Sequence, residues 1–156
     1  MSVPEPSADL LYFDDFPVGL KVEIDGPLIE EQAMLEFARR YDPQAFHVNR
    51  ELARASPYGG LIASGFMTAS LTMRMICDAY LARSAGIGSP GLSELSWLRP
   101  VRAGDRLHLT MTVIDTRISN SKPDRGFVTH RWQVFNQSGD EVMVMVGKGM
   151  FLRRPA

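Results

Sequence analysis

The second half of the chain alternates apolar and polar residues in the way that is typical of β-strands. In residues 107–113 every second residue is apolar, and a similar alternation runs through residues 128–134. Successive side chains of a strand point to opposite faces, so this alternation predicts strands with one buried face. His108 and His130 lie on these patterns and are interpreted as packing or surface residues. Four long strands are predicted over residues 91–101, 106–118, 126–136 and 141–153.

A different pattern runs through residues 65–83, where the spacing predicts one long helix with almost no polar face. Its charged residues are Arg74, Asp78 and Arg83. A helix that is apolar nearly all round is buried on most sides, so we expect the predicted strands to wrap around it. Shorter elements are predicted earlier in the chain: a strand over residues 20–24 ended by Gly26 and Pro27, a helix over residues 29–41 stopped by Pro43, and a helix over residues 50–55 capped by Asn49.

Short turns link the predicted strands, for example around Gly104 and around Gly139. Parallel neighbours would need long crossovers, so these links favour an antiparallel meander. The last strand is apolar on both faces over residues 142–146, which predicts a place in the middle of the sheet or against a partner. The predicted fold is α+β: one domain over residues 1–156 with a long helix along a curved antiparallel sheet. Residues 1–10 are predicted to form an extended arm.

Composition narrows the class of protein. The 156 residues are 45% hydrophobic, and 17 basic against 18 acidic side chains leave a formal net charge of −1. This balance argues against a nucleic-acid-binding protein, which usually carries a basic excess. A single cysteine, Cys77, excludes an internal disulfide framework, and the chain shows neither a signal-peptide pattern nor an apolar run as long as a membrane span. We therefore expect a cytoplasmic protein with no membrane partner.

Candidate chemistry is concentrated between Asp42 and Gly65. Asp42 stands at the predicted end of a helix, His47 follows five positions later, and a Gly-rich turn around Gly60 leads into the long helix at Gly65. A carboxylate and an imidazole can move protons, and the free N–H groups at a helix start can stabilise negative charge. Together these features indicate an enzyme that polarises a carbonyl group and transfers a proton. No metal-ligand cluster, phosphate-binding loop or serine-hydrolase motif is found in the sequence.

The segment with Asp42 and His47, followed by the run Tyr58-Gly59-Gly60-Leu61-Ile62-Ala63-Ser64-Gly65, resembles the MaoC-like or (R)-specific enoyl-CoA hydratase family of hot-dog folds. The resemblance extends over residues 11–153. It implies an acyl-CoA hydro-lyase that hydrates a 2-enoyl-CoA or dehydrates a 3-hydroxyacyl-CoA. Asp42 and His47 would hold and activate the water, and the Gly65 N–H would stabilise the negative charge on the thioester oxygen.

The resemblance also implies contacts with the substrate and with a second protomer. Gly60, Ser64 (where the family often has His) and Met73 are expected at the substrate. Arg99 and Arg125 are candidate cations for the phosphates of coenzyme A. Coenzyme A enters as part of the acyl-CoA substrate, so neither a separate cofactor nor a metal is expected. Exposed sheet edges and the resemblance together predict a homodimer or a higher homo-oligomer.

Departures from the family pattern keep other functions open. Gln44 and Ala45 stand where Asn and Pro are usual between the acid and the imidazole, and Met73 stands where some hydratases carry a hydroxyl residue. These changes leave open a non-catalytic acyl-CoA-binding subunit. A thioesterase of the same fold is the other alternative. Its carboxylate would be Asp78, although Arg74, four residues earlier, is positioned to pair with it.

Overall fold

The computed structural model describes residues 10–156, so the predicted arm over residues 1–10 lies outside them except for Leu10. The described residues form both helices and strands, as the predicted α+β class requires. The helices are α1 (Glu31–Tyr41), α2 (Ala45–Val48), α3 (Arg50–Ala55) and α4 (Gly65–Ala79), and the strands are β1 (Lys21–Leu28), β2 (Gly86–Trp97), β3 (Arg106–Ile118), β4 (Arg125–Phe135) and β5 (Glu141–Leu152). Two 3-10 turns lie at Phe13–Asp15 and Leu81–Arg83.

The five strands form one antiparallel sheet in the order β1-β3-β4-β5-β2. β3, β4 and β5 form a meander, as the short turns between them predicted. β5 lies between β4 and β2, which confirms its predicted place in the middle of the sheet. Val142, Met143, Met145 and Val146 are all buried, because β5 has a neighbouring strand on each side and is covered on both faces.

The prediction of a meander is wrong for the link between β2 and β3. β2 pairs with β5 at one edge of the sheet, whereas β3 pairs with β1 and β4 on the other side. Residues 98–105 join the two strands, and eight residues can span up to about 26 Å. The strands that separate β2 from β3 occupy only about 14 Å. The link is therefore long enough to cross the end of the sheet, and the turn at Gly104 is only its last bend.

β1 ends at Leu28 and so continues past Gly26 and Pro27, the residues that were predicted to end it. A Cβ on Gly26 would lie 2.6 Å from the Leu107 carbonyl oxygen and 2.6 Å from Met75 Cε. Glycine thus permits close packing against β3 and α4 at this point. The pairing of β1 with β3 shifts register between Asp25 and Leu28 and then continues.

Helix α4 lies against the sheet and forms the centre of the core. Met67, Met75 and Ile76 are buried in a cluster with apolar side chains from β3, β4 and β5, and partly buried apolar side chains of β1 and β2 pack against it. The opposite flank is open, since Phe66 is 60% and Met73 is 45% exposed. The expectation of a helix buried on most sides is wrong for this flank, because the sheet of one chain covers only part of it. No helix among residues 10–156 is both long and apolar enough to cross a bilayer.

Candidate active site

Asp42 is placed by the end of α1. Its backbone N–H donates to the Ala38 carbonyl at 2.8 Å and closes the helix, and Pro43 prevents a further turn. The carboxylate accepts a hydrogen bond from each of two side chains: the Ser64 hydroxyl donates to Oδ2 at 2.7 Å, and the Gln44 amide donates to Oδ1 at 2.7 Å. Burial by itself would raise the pKa of Asp42, but the hydrogen bonds from Ser64 and Gln44, together with the charge on His47, lower it below its ordinary value.

His47 is buried on the short helix α2 and is oriented by the backbone. Its Nδ1 lies 2.8 Å from the Ile62 carbonyl oxygen. A carbonyl oxygen only accepts, so Nδ1 carries a proton and donates it. Nε2 lies 3.2 Å from Asp42 Oδ2. A proton shared between Nε2 and Oδ2 would join the imidazole and the carboxylate by a hydrogen bond.

Gly65 is the first residue of α4, as the sequence predicted. Its N–H finds no hydrogen-bond acceptor in the described part of the chain, which is expected for the first turn of a helix. A Cβ at this position would overlap the indole ring of Trp97. Glycine therefore lets Trp97 pack directly against the helix start, while the backbone N–H stays available to a ligand.

Asp42, His47 and Gly65 line one cleft of about 390 Å³. The cleft lies between the helix start and the segment that leaves β2. Arg99 lines the same cleft and brings a cation to it. Its other lining residues are mainly apolar or aromatic, among them Phe46, Tyr58, Phe66, Trp97, Leu98 and Val142. The structure thus brings together the three residues that the sequence proposed for catalysis.

The remaining predicted substrate residues lie in different places. Ser64 is fully buried and bonded to Asp42, so it contacts the carboxylate rather than the open cleft. Gly60 lies beside the cleft, next to the guanidinium of Arg102. Met73 lies on the open flank of α4, outside the cleft lining. Arg125 is bound to Asp124 at the far end of β4, about 33 Å along the strand from Phe135.

Two features of the cleft were not predicted from the sequence. Trp97 is 45% exposed and its ring packs on Phe66 with centroids 5.2 Å apart, forming a wall of the cleft. Gln44 was noted only as a departure from the family pattern, yet it is a hydrogen-bond donor to Asp42. Neither role has a local sequence signal, because each depends on a partner from another segment.

A second, larger cavity of about 610 Å³ runs along the open flank of α4. Phe66 lines both this cavity and the cleft, so the two spaces adjoin. Met73 lies along its side, and Tyr80, His130 and Trp132 contribute to its lining. Trp132 Nε1–H donates to the Tyr80 hydroxyl at 2.9 Å. His130 is almost completely buried, in agreement with its interpretation as a packing residue.

Known proteins resemble this chain over much of its length. A sequence model of the MaoC-like domain matches residues 15–132. A 3-hydroxybutyryl-CoA dehydratase from Methylorubrum extorquens is 31% identical over 112 residues, which are 70% of this chain and 68% of that protein. The crystal structure of a MaoC-like dehydratase from Rhodospirillum rubrum is 40% identical, covers 94% of this chain and 99% of that one, and has a TM-score of 0.88.

A more distant structure supports the architecture. R-hydratase PhaJ1 from Pseudomonas aeruginosa is 24% identical, covers 93% of this chain and 88% of that one, and has a TM-score of 0.72. At that identity the likeness is evidence for the fold alone. The long helix wrapped by a five-stranded antiparallel sheet is the hot-dog fold, which confirms the predicted fold class.

Proposed function

The chain belongs to the MaoC-like domain family, and from this premise we propose that it is an acyl-CoA hydro-lyase. It would hydrate a 2-enoyl-CoA or, in the reverse direction, dehydrate a 3-hydroxyacyl-CoA. The observation that carries the proposal is the cleft lined by Asp42, His47 and Gly65, whose N–H has no acceptor among residues 10–156. The carboxylate and the imidazole can activate the water and transfer the proton, and the N–H can stabilise the oxyanion that the reaction produces.

A balanced reaction follows if Asp42 and His47 share one proton at the start. In hydration the water oxygen bonds to the β-carbon while the π electrons of the double bond move towards the thioester oxygen. Asp42 takes the proton that the water loses, and the Nε2–H of His47 delivers a proton to the α-carbon. The 3.2 Å contact between Asp42 Oδ2 and His47 Nε2 then lets the proton pass from the acid to the imidazole, which restores the starting pair. Dehydration follows the same steps in reverse.

The start of α4 would stabilise the charge that develops on the thioester oxygen. Gly65 offers a free N–H, and the helix dipole adds positive potential at the same point. No metal is needed for this step, because the backbone N–H and the dipole act on the oxyanion directly. Coenzyme A is present only as part of the substrate. Hydration involves no net oxidation, so no redox cofactor enters the proposal.

Substrate binding follows from the two adjoining cavities. The thioester would lie at Gly65, with the acyl tail passing Phe66 into the larger, mainly apolar cavity beside α4. Arg99 lines the cleft and is the best-placed cation for a phosphate of coenzyme A. Arg102 lies nearby, but its guanidinium already donates to the Tyr58 carbonyl at 2.6 Å. Arg125 lies too far along β4 to serve the same cleft within one protomer.

A homodimer is part of the proposal. β2 is an edge strand of twelve residues with unpaired backbone groups on its outer side, and such edges favour pairing with another strand. The exposed apolar side chains of Phe66, Met73 and Leu92 line the cavity beside α4 next to this edge. Pairing of two β2 strands would cover this surface and adjoin the cavity beside α4.

The direct test is hydration of crotonyl-CoA, followed by the loss of enoyl absorbance. The wild-type protein is expected to turn it over, and Asp42→Asn and His47→Ala are each expected to lower kcat by two orders of magnitude or more. Asp78→Asn is the matched control, because Asp78 lies outside the cleft and is held by Arg74. Wild-type activity that survives both cleft substitutions would refute the assignment of the two residues.

A non-catalytic acyl-CoA-binding subunit is the second candidate. It is favoured by one observation: both oxygens of Asp42 already accept hydrogen bonds from protein side chains, Ser64 and Gln44, which makes the carboxylate a weaker base. Calorimetric binding of acyl-CoA ligands of several chain lengths, with no turnover of any enoyl-CoA, would support it over the hydro-lyase. The thioesterase alternative has less support, because the Arg74 guanidinium engages both oxygens of Asp78 on the exposed face of α4.

A further inference from the structure

The indole ring of Trp97 lies directly against the first residue of α4. A Cβ built on Gly65 would lie 2.3 Å from Cε2, 2.5 Å from Nε1 and 2.6 Å from Cδ2 of Trp97. Two of these atoms are the carbons shared by the two rings, and the third is the ring nitrogen. The nitrogen of the indole is therefore among the atoms that lie closest to the helix start.

Bond lengths set an upper limit on the distance between the indole N–H and the backbone N–H of Gly65. The backbone nitrogen is two covalent bonds of about 1.5 Å each from the position of that Cβ. Trp97 Nε1, which is 2.5 Å from the same position, thus lies at most about 5.5 Å from the Gly65 nitrogen. Two nitrogens that donate to one oxygen at about 2.9 Å can be up to about 5.8 Å apart. The two N–H groups are close enough to share one acceptor.

Neither of these two N–H groups has an acceptor among residues 10–156. The Gly65 N–H finds none at the helix start. Of the two tryptophans of the chain, Trp132 donates its indole N–H to the Tyr80 hydroxyl at 2.9 Å, whereas the indole N–H of Trp97 makes no such bond in the described residues. An indole nitrogen can only donate. Trp97 lines the cleft and is 45% exposed, so a ligand bound there can approach it.

We propose that Trp97 supplies a second donor to the oxyanion: its indole N–H and the Gly65 N–H donate to the same thioester oxygen. The inference rests on the proposed function, which puts the thioester at Gly65. Negative charge collects on this oxygen when the water oxygen bonds to the β-carbon, and it leaves again when the α-carbon takes a proton from His47. Trp97 keeps its own proton throughout, so it stabilises the charge without entering the proton balance.

An indole is suited to this role in the cleft. It is uncharged, so it stabilises the oxyanion without adding a charge beside Asp42 and His47. Its edge-to-face contact with Phe66, with centroids 5.2 Å apart, helps to fix the ring, and a donor that is already in place needs no reorganisation during the reaction. A phenylalanine could pack against Gly65 and Phe66 in the same way, but it would offer the oxygen no hydrogen bond.

The test removes the N–H in two ways. Trp97→Phe removes it together with part of the ring, whereas site-specific replacement of Trp97 by β-(3-benzothienyl)alanine exchanges only the N–H for a sulfur that cannot donate. In hydration of crotonyl-CoA both variants are expected to lose about a hundredfold in kcat with little change in KM, because the charge develops only in the transition state. A loss that is confined to Trp97→Phe would show that packing matters rather than donation, and would overturn the proposal.

Acetoacetyl-CoA gives a readout that needs no turnover. Its enolate carries negative charge on the thioester oxygen and differs from the neutral form in ultraviolet absorbance, so the pKa of the bound ligand can be measured. Loss of the indole N–H at Trp97 is expected to raise this pKa by about one. Tyr12→Phe is the control, because it removes the donor of an aromatic side chain outside the cleft and is expected to leave the pKa of the ligand unchanged.

The indole protons report the contact directly. The chain has two tryptophans, so the N–H resonance of Trp97 is assigned as the one that disappears in Trp97→Phe. It is expected to move to lower field when acetoacetyl-CoA binds, whereas the resonance of Trp132, whose N–H is held by Tyr80, is expected to move little. A Trp97 resonance that does not respond to the ligand, or a ligand pKa that is the same in wild type and variants, would refute the donor role.

Failure of this inference is distinguishable from failure of the proposed function. Crotonyl-CoA hydration depends on Asp42 and His47, whereas the ionisation of bound acetoacetyl-CoA depends on the donors to its oxygen. A protein that hydrates crotonyl-CoA equally well without the indole N–H retains its function and loses this role for Trp97. A protein that is inert towards enoyl-CoA but stabilises the enolate only with the N–H present retains the role and loses the hydro-lyase assignment.

Discussion

The Ser64 hydroxyl donates a 2.7 Å hydrogen bond to Asp42 Oδ2, the same oxygen that lies 3.2 Å from His47 Nε2. Ser64 is fully buried and immediately precedes Gly65 at the start of α4. Ser64 therefore links the proposed acid–base pair, through its hydrogen bond to Asp42, to helix α4, whose first N–H would stabilise the oxyanion. Because Ser64 acts through Asp42, its role is that of a positioning residue.

Ser64→Ala is expected to move the acidic limb of the activity profile to higher pH. Loss of the hydrogen bond removes one of the influences that lower the pKa of Asp42, so that pKa rises. Asp42 must be ionised to take a proton from water, and a higher pKa means that activity is lost earlier as the pH falls. We expect kcat/KM to fall about tenfold as well. A pH series of kcat/KM provides the measurement.

The control for this substitution is Ser84→Ala, which removes a half-buried hydroxyl that donates to the Leu81 carbonyl and lies away from the cleft. It should leave both the rate and its pH dependence unchanged. If the profile of Ser64→Ala superimposes on that of the wild type, Ser64 does not influence the ionisation of Asp42.

Gly65→Ala is expected to destabilise the fold through a clash with Trp97. The added Cβ would overlap the indole ring, and forcing an extra carbon into a packed site costs about 1–3 kcal/mol. Urea unfolding measures the loss. The double substitution Gly65→Ala with Trp97→Gly should recover much of the stability, because it removes the ring that clashes. No recovery in the double variant would show that the cost arises elsewhere, in the backbone at the helix start.

His130→Phe is expected to stabilise the protein, and more so in mild acid. The folded pKa of His130 is about 4, below the ordinary value of 6.5. A depressed folded pKa gives stability that is present above the unfolded pKa and is lost as the pH falls towards the folded one. At about pH 5 the free energy of unfolding of the wild type is therefore roughly 2 kcal/mol lower than at neutral pH. The variant lacks the imidazole and does not show this loss. Urea unfolding at neutral pH and at about pH 5 compares the two, and a constant gap between them would contradict the prediction.

The pair of His108 and Glu23 is expected to make a small contribution to the stability of the fold, with a pH dependence opposite to that of His130. A 2.6 Å contact with Glu23 raises the pKa of His108, with a smaller contribution from Asp25. A raised folded pKa gives stability that is complete below the unfolded value of about 6.5 and is lost as the pH rises through the folded one. Both side chains are more than a third exposed, so we expect about 0.5 kcal/mol or less.

The measurement for this pair is a double-mutant cycle with His108→Gln and Glu23→Gln, followed by urea unfolding on either side of neutral pH. His108→Gln should lose the whole pH-dependent part of the stability, Glu23→Gln should lose most of it because Asp25 remains, and the double variant should lose no more than His108→Gln alone. Additive losses would mean that the two side chains do not interact in solution.

Light scattering should give a mass of two or more chains at micromolar concentration. Leu92→Lys puts a charge on the β2 edge strand, where Leu92 is 48% exposed and lines the cavity beside α4, and should weaken the association. Val18→Lys is the matched control, because Val18 is 61% exposed in a loop before β1. A monomeric mass for the wild type would refute the expected homodimer.

Local sequence predicted the elements that frame the cleft. Pro43 ends the first helix at Asp42, and Asn49 caps α3 through its side chain, which accepts from the Leu52 N–H at 3.0 Å. Gly65 starts the long helix at the predicted residue. Each of these signals operates over a few residues, where backbone sterics and hydrogen bonds are decided locally. Elements with such signals could therefore be predicted from the sequence alone.

Contacts between distant segments could not be predicted from the local sequence. The bond from Ser64 to Asp42 spans 22 positions, and the place of β2 beside β5 depends on a crossing link rather than on the turn at Gly104. Arg125 was expected at the substrate because it is a cation beside a turn, but β4 carries it to the opposite end of the sheet. No local pattern carries this information, because it depends on how the sheet orders its strands.

The sequence by itself determined the α+β class, the strand and helix periods, and the segment that contains Asp42, His47 and Gly65, because each follows from residue spacing and from backbone chemistry within a few positions. Only the tertiary structure decided which groups those side chains meet. It paired Ser64 with Asp42, left one flank of α4 open, and buried His130 with no hydrogen-bond partner among residues 10–156. These outcomes depend on packing between segments far apart in the chain, and burial and hydrogen bonding are properties of that packing.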